Sequence, residues 1–257
     1  MLRAIGFDLW ETLITDTPDL SRRQERLRLE RMEATLAQRG HGAAAAAIER
    51  AYRTLWHRCH ELYWSDDVDV PCRRQIEHFL EALDFDPAAF TGEALEELEH
   101  AYALAALEVP PELVAGAAEV LPALRARGLA VGLISNTGRT PGYALRRILG
   151  RAGLAPHIDV MVFSDEHGAC KPRSSIFEEL RRGLRVDWEE MVFVGDNLRA
   201  DVYGAQRCGM KAVHFAPPVR GTAVAPRVEL EEEVVPDAQV RRLEDLLAVL
   251  ETMAGDR

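Results

Sequence analysis

The sequence predicts an α/β fold: a Rossmann-like parallel sheet core with helices on both faces and an inserted all-helical segment. Three observations predict it. Short apolar runs of strand length recur through residues 114–257, each followed by a helical stretch, and such alternation implies a parallel sheet covered on both sides. A matching run opens the chain, Leu2 to Leu9. Between the two, residues 17–113 show helical periodicity and no strand pattern.

The opening run is apolar up to Asp8 and reads as a buried strand. In the block that follows, Leu27, Met32 and Leu36, then Ile76, Phe79, Leu80 and Leu83, then Leu95, Leu98 and Tyr102 recur at helical spacing. Pro71 and Asp86-Pro87 break it, and the alanine-rich stretch from His41 reads as helix. After Pro110-Pro111, Ala118 to Arg127 is a helix closed by Gly128. Leu129 to Ile134 is a strand ending at Ser135, and Pro141 to Leu149 a helix. Val160 to Phe163 is a strand before Ser164, with a turn-rich segment to Pro172 and a helix from Ser174 to Arg182. Met191 to Val194 is a strand ending in Gly195-Asp196. Ala200 to Cys208 is a helix, Ala212 to Phe215 a strand, and Ala238 to Met253 a closing helix. Pro217 to Val235 is a loop with an acidic run at Glu229, Glu231, Glu232 and Glu233, a solvated surface. These elements divide the chain into a core, residues 1–16 and 114–257, and a helical insert, residues 17–113.

The formal net charge of −11 argues against a nucleic-acid partner, which needs a basic face to displace counterions. No apolar run reaches membrane-spanning length, and the N-terminal MLRAIGFDLW is too short and too soon acidic for a signal peptide. Cys59, Cys72, Cys170 and Cys208 form no CxxC pair and read as free thiols of a reducing compartment, so a cytoplasmic location is expected. Lys171 and Lys211 are the only lysines, so a mechanism that needs a lysine has two candidates.

Open parallel sheets bind ligands at the carboxyl ends of their strands. The predicted strands end in Asp8, Ser135, Ser164 and Asp196, which therefore converge on one edge, with Asp201 one turn into the next helix. Carboxylates so close repel one another, and a hard divalent cation, Mg²⁺, resolves the conflict. Lys171 adds a positive charge, while Thr12, Ser135 and Asn136 offer donors for phosphate oxygens. A carboxylate nucleophile beside Mg²⁺ and a lysine is a solution for phosphoryl transfer through an aspartyl-phosphate.

These residues match four motifs in order. The first is Asp8-Leu9-Trp10-Glu11-Thr12-Leu13 after an apolar strand, and the second is Ser135-Asn136-Thr137. The third is Lys171-Pro172 before a helix, and the fourth is Gly195-Asp196-Asn197 with Asp201 downstream. In these the chain resembles the haloacid dehalogenase-like hydrolase superfamily over nearly all its length. The resemblance implies that Asp8 is the nucleophile and that Ser135 and Lys171 hold the phosphoryl oxygens. It implies that Asp8, Asp196, Asp201 and the backbone carbonyl of Trp10 bind Mg²⁺. The insert then resembles the family's helical cap between the first two motifs, which closes over the site and selects the substrate, here a small phosphorylated metabolite.

One position departs from that pattern. The family's phosphatases carry a general acid–base Asp two residues after the nucleophile, and here it is Trp10. An indole cannot exchange the catalytic proton, and Glu11, in an extended segment, points the other way. Two alternatives follow. One is a 2-haloacid dehalogenase, whose relatives carry an aromatic there, with Arg39 as a halide or carboxylate contact; its place before Gly40 at a helix end favours a dipole contact instead. The other is a non-catalytic phospholigand-binding or interaction protein. A phosphonatase is excluded, since that branch needs a lysine in the insert. In the insert, Tyr52, Trp56, His60 and either Tyr63 or Trp64 recur at helical spacing. They are candidates for lining the substrate pocket, Trp56 and His60 foremost, against a competing role in helix packing. His57 and His60 have no metal-ligand partners in the pattern, and Arg22 and Arg23 fit a solvated helix face.

Overall fold

The computed structural model describes residues 1–218, 221 and 234–255. The acidic run at 229 and 231–233 lies outside the described residues. Among the described residues there are eight strands: β1 (Ala4–Phe7), β2 (Ile14–Thr15), β3 (Glu112–Leu113), β4 (Ala130–Ser135), β5 (Val160–Phe163), β6 (Met191–Gly195), β7 (Lys211–Phe215) and β8 (Ala238–Val240). Six of them form one sheet in the order β5-β4-β1-β6-β7-β8, and every pair in it is parallel. This is the expected Rossmann-like core.

Side chains alternate across the sheet. Ile5, Phe7, Val131, Leu133, Val192 and Val194 pack on one face with helices Ala117–Ala126, Gly142–Arg151 and Leu246–Gly255. Ala4, Ile134, Met191 and Phe193 pack on the other with Ser174–Leu184. Gly132 lets that last helix sit close, because a Cβ there would strike the Leu180 side chain.

The helices of residues 17–113 include α1 (Pro18–Gln38), α2 (Ala45–Leu62), α3 (Cys72–Glu81) and α4 (Gly92–Ala103). The Thr17 hydroxyl caps α1 by accepting from the Leu20 N–H, with Pro18 in the first turn. Met32, Leu36, Ile48, Leu55, Ile76, Phe79 and Leu98 form a hydrophobic cluster of their own. The short antiparallel pair β2–β3, Ile14 opposite Leu113, brings together the points where the chain leaves the sheet and returns to it. Among the described residues no helix is long and apolar enough to cross a membrane.

Three element assignments need correction. The expected closing helix over 238–253 begins instead with β8, and the α-helix starts only at Leu246, after a 3-10 turn over Leu243–Asp245. Val213–Phe215 offers an open edge, and Ala238–Val240 satisfies it. The helix expected over 200–208 is a π-helical turn, Leu198–Tyr203, running into Gly204–Arg207. The alanine-rich stretch becomes helical only at Ala45, since Gly40 takes a left-handed φ of 79° that ends α1.

Candidate active site

The acid cluster follows from the sheet. The Asp8 N–H donates to the Val194 carbonyl at 2.8 Å, so the β1–β6 ladder runs one residue past β1 and fixes Asp8 beside the end of β6. Asp196 follows β6 directly. Asp201 sits in the π turn, whose start is tied down by Asn197: its Oδ1 accepts from the Arg199 and Ala200 N–H groups at 2.9 Å each. The Asn197 N–H in turn donates to Asp201 Oδ2 at 2.9 Å. One carboxylate oxygen from each of Asp8, Asp196 and Asp201 lies within 4.8 Å of the others. Gly195 makes room for this, as any Cβ there would collide with the Asp201 carboxylate.

Lys171 lies under two of these acids. Its Nζ donates to Asp8 Oδ1 at 2.5 Å, Asp201 Oδ1 at 2.7 Å and the Ile134 carbonyl at 3.1 Å, which uses all three ammonium protons. Burial would lower the Lys171 pKa, but Asp201 and Asp8 outweigh it and hold the ammonium above its ordinary range. Burial pushes the Asp8 carboxyl up to about 6, with Lys171 opposing the rise and Asp201 adding to it. Three carboxylates against one ammonium leave the floor of the site negative, and oxygen donors so grouped suit a hard divalent cation.

Above the cluster opens a cavity of about 430 Å³. Asp8, Trp10, Asn136, Lys171, Asp196, Asp201, Trp56 and His60 all border it. Two expected site residues lie behind it. Thr12 is fully buried and donates to Asp8 Oδ2 at 3.1 Å, which orients the carboxylate. Ser135 is fully buried and donates to the Asn136 carbonyl at 3.5 Å. Asn136 itself clamps the lysine loop: its Oδ1 accepts from the Lys171 N–H at 2.9 Å and its Nδ2 donates to the Lys171 carbonyl at 3.1 Å.

The aromatic stripe faces the cavity through Tyr52, Trp56, His60 and Trp64. Tyr63 turns away, its hydroxyl 2.8 Å from His78 Nε2. Glu11 is not extended: it has a left-handed φ of 61°, and its carboxylate accepts from Thr15 Oγ1 at 3.0 Å and the Gly221 N–H at 2.6 Å. Arg39 does not reach the cavity and does not end in solvent; it holds Glu97 in a two-point ion pair at 2.8 and 2.6 Å. Arg22 and Arg23 are exposed.

Several cavity residues had no reading in the sequence. Gln24 and Arg28 are buried on α1, in one stripe with Met32 and Leu36. Polar residues in an otherwise buried stripe of spacing four mark where it leaves the core and enters the cavity, and that was the available signal. Residues 66–69 clasp the loops of the sheet. Arg199 grips Asp67 with two bonds of 2.8 and 2.7 Å, and Asp69 Oδ2 accepts from Thr137 Oγ1 at 3.2 Å and Ser164 Oγ at 2.5 Å.

A family model described as haloacid dehalogenase-like hydrolase matches residues 2–209. The chain is 30% identical to a glyceraldehyde 3-phosphate phosphatase of Pyrococcus abyssi over 99% of its length and 96% of the relative's. It is 28% identical to the protein of the same name from Methanopyrus kandleri over the whole of both chains. Among solved structures, a 2-haloacid dehalogenase of Pseudomonas syringae pv. Tomato DC3000 superposes with a TM-score of 0.69 at 25% identity, covering 98% of this chain and all of that one.

Proposed function

We propose that this chain, which belongs to the haloacid dehalogenase-like hydrolase family, is a Mg²⁺-dependent phosphatase acting on a small phosphorylated metabolite through an aspartyl-phosphate at Asp8. The observation that carries the reading is the triad of Asp8, Asp196 and Asp201 at one sheet edge. Full-length relatives named as phosphatases support it.

In this reading Asp8, Asp196, Asp201 and the Trp10 carbonyl hold Mg²⁺, which supplies positive charge against the phosphoryl oxygens. Thr12 holds Asp8 in line for attack on phosphorus. The Asp8–phosphorus bond forms as the ester oxygen departs; water then attacks phosphorus, releases phosphate and restores the carboxylate. Lys171 keeps Asp8 and Asp201 together against their mutual repulsion. Residues 17–113 act as a cap over a core of residues 1–16 and 114–257, and their aromatic wall receives the leaving group.

A 2-haloacid dehalogenase is the second reading, favoured by the structural likeness and by Trp10. The acid triad weighs against it, because a haloacid carboxylate would meet Asp196 and Asp201 with like charge.

The test uses the missing proton donor. Aryl phosphates leave without protonation, whereas alkyl phosphates need a proton on the departing oxygen. With Mg²⁺, the wild type is expected to release phosphate from p-nitrophenyl phosphate and only slowly from glycerol 3-phosphate. Trp10→Asp should raise the alkyl rate, where departure of the ester oxygen limits, by up to about 10²-fold, and should raise the aryl rate only through faster hydrolysis of the aspartyl-phosphate. Trp10 is half-buried and packs on the core, so the folded fraction is measured alongside. Halide release from 2-chloropropionate without phosphate release from any ester would favour the dehalogenase.

A further inference from the structure

The cavity carries a positive group that the acid cluster does not use. We propose that Arg139 is a specificity-determining residue that receives a second anionic group of the substrate, a carboxylate or a second phosphate, beyond the reacting phosphoryl group. The inference rests on the phosphatase reading above.

The guanidinium of Arg139 lies against two aromatic faces of α2, 4.3 Å from the Trp56 ring centroid and 5.0 Å from that of Tyr52. Among the described residues, no carboxylate lies within ion-pair distance of it and no hydrogen bond engages its N–H groups. A guanidinium stacked in this way keeps its in-plane donors open, and that fork matches a carboxylate or phosphate.

The other cavity arginines are occupied. Arg199 is paired with Asp67. Arg28, only 4% exposed, donates from Nε to the Tyr102 carbonyl at 3.0 Å and from Nη2 to Thr140 Oγ1 at 3.3 Å, and it draws down the Asp16 carboxyl that burial raises. Glu25 also borders the cavity, but no ion pair joins it to Arg139. Arg139 is thus a cavity cation that stacks on two rings and pairs with no carboxylate among the described residues.

Its position is prepared for a ligand. Asn136 is bound to the Lys171 backbone, the Thr137 N–H donates to Ser164 Oγ at 2.9 Å, and the Gly138 carbonyl accepts from Gln75 Nε2 at 3.0 Å. Thr140 is held by Arg28 on the far side. The Thr140 N–H also donates to the Thr137 carbonyl at 3.3 Å, so the loop is held on both sides of residue 139 and little backbone ordering remains to oppose binding. The same loop begins at the end of β4, and Arg139 borders the same cavity as the acid cluster, against its aromatic wall, so a phosphate ester bound at the acids would have its far end in the space Arg139 faces.

The test is calorimetric, with Mg²⁺ present and in an Asp8→Asn background so that bound esters survive. Three probes are compared: glycerol 3-phosphate, 3-phosphoglycerate and propane-1,3-diyl bisphosphate. At least one of the two doubly anionic esters should bind roughly 10–100-fold tighter than glycerol 3-phosphate, the range for a hydrogen-bonded charged group. The tighter of the two identifies the anion as carboxylate or phosphate. Adding Arg139→Gln should bring the three affinities together, whereas Arg139→Lys should keep part of the preference. Equal binding of all three probes overturns this proposal and leaves the phosphatase reading standing. So does a preference that survives Arg139→Gln in a folded variant. Binding of none of the three overturns both.

Discussion

Asp8→Asn is expected to lower phosphate release by on the order of 10⁶-fold, the cost of removing a covalent nucleophile, while the fold is kept. Asparagine preserves the side chain's volume and an oxygen for the Thr12 hydroxyl. Lys171 keeps Asp201 and the Ile134 carbonyl as partners, so no charge is stranded. Thermal unfolding and circular dichroism should match the wild type. Phosphate release retained within tenfold, with contaminating phosphatase excluded, would mean that another group attacks phosphorus.

Lys171→Met is expected to have the largest effect on stability. Lys171 is 2% exposed and stands between two buried acids. Removing it leaves Asp8 and Asp201 facing each other without a counter-charge, and stripping one partner from a buried ion pair costs about 3–5 kcal/mol. A protein of this size loses roughly 2–4 °C of melting temperature per kcal/mol, so Tm without added metal should fall by on the order of 10 °C. The causal link is charge and not packing, because methionine fills nearly the same space. A double-mutant cycle separates the two: adding Asp8→Asn to Lys171→Met should recover part of the loss. Additive losses would show that the Lys171 charge does not stabilise the fold through Asp8.

The sheet was legible because its strands are buried on both faces and read as unbroken apolar runs, from Ala4–Phe7 to Met191–Gly195. Asp8, Ser135 and Asp196 were legible for a related reason: a parallel sheet delivers whatever follows each strand to one edge. What failed depended on partners distant in sequence. Ala238–Val240 is a strand only because β7 leaves an edge for it, and three residues carry too little pattern to compete with the helix beyond. Glu11 turned on a left-handed backbone that residue type does not announce. Thr12 and Ser135 are fully buried, Thr12 donating to Asp8 and Ser135 to the Asn136 carbonyl, contacts that residue type alone does not announce. Arg28, Asp67 with Asp69, and Arg139 meet at the cavity from three separate segments, so no spacing rule could have grouped them.

The most direct test of the central claim is to catch the phosphoryl group on Asp8. The residue that would otherwise activate the hydrolytic water is the same missing acid at position 10, so the second step should be the slower one and the aspartyl-phosphate should accumulate. Enzyme turning over p-nitrophenyl phosphate with Mg²⁺ is quenched in acid on the millisecond-to-second scale, and its peptides are weighed. The account predicts one added phosphate on the peptide that contains Asp8, a matching burst of p-nitrophenol, and less of the adduct in Trp10→Asp. Steady phosphate release with no adduct on that peptide at any quench time, or with the adduct on another residue, would contradict it.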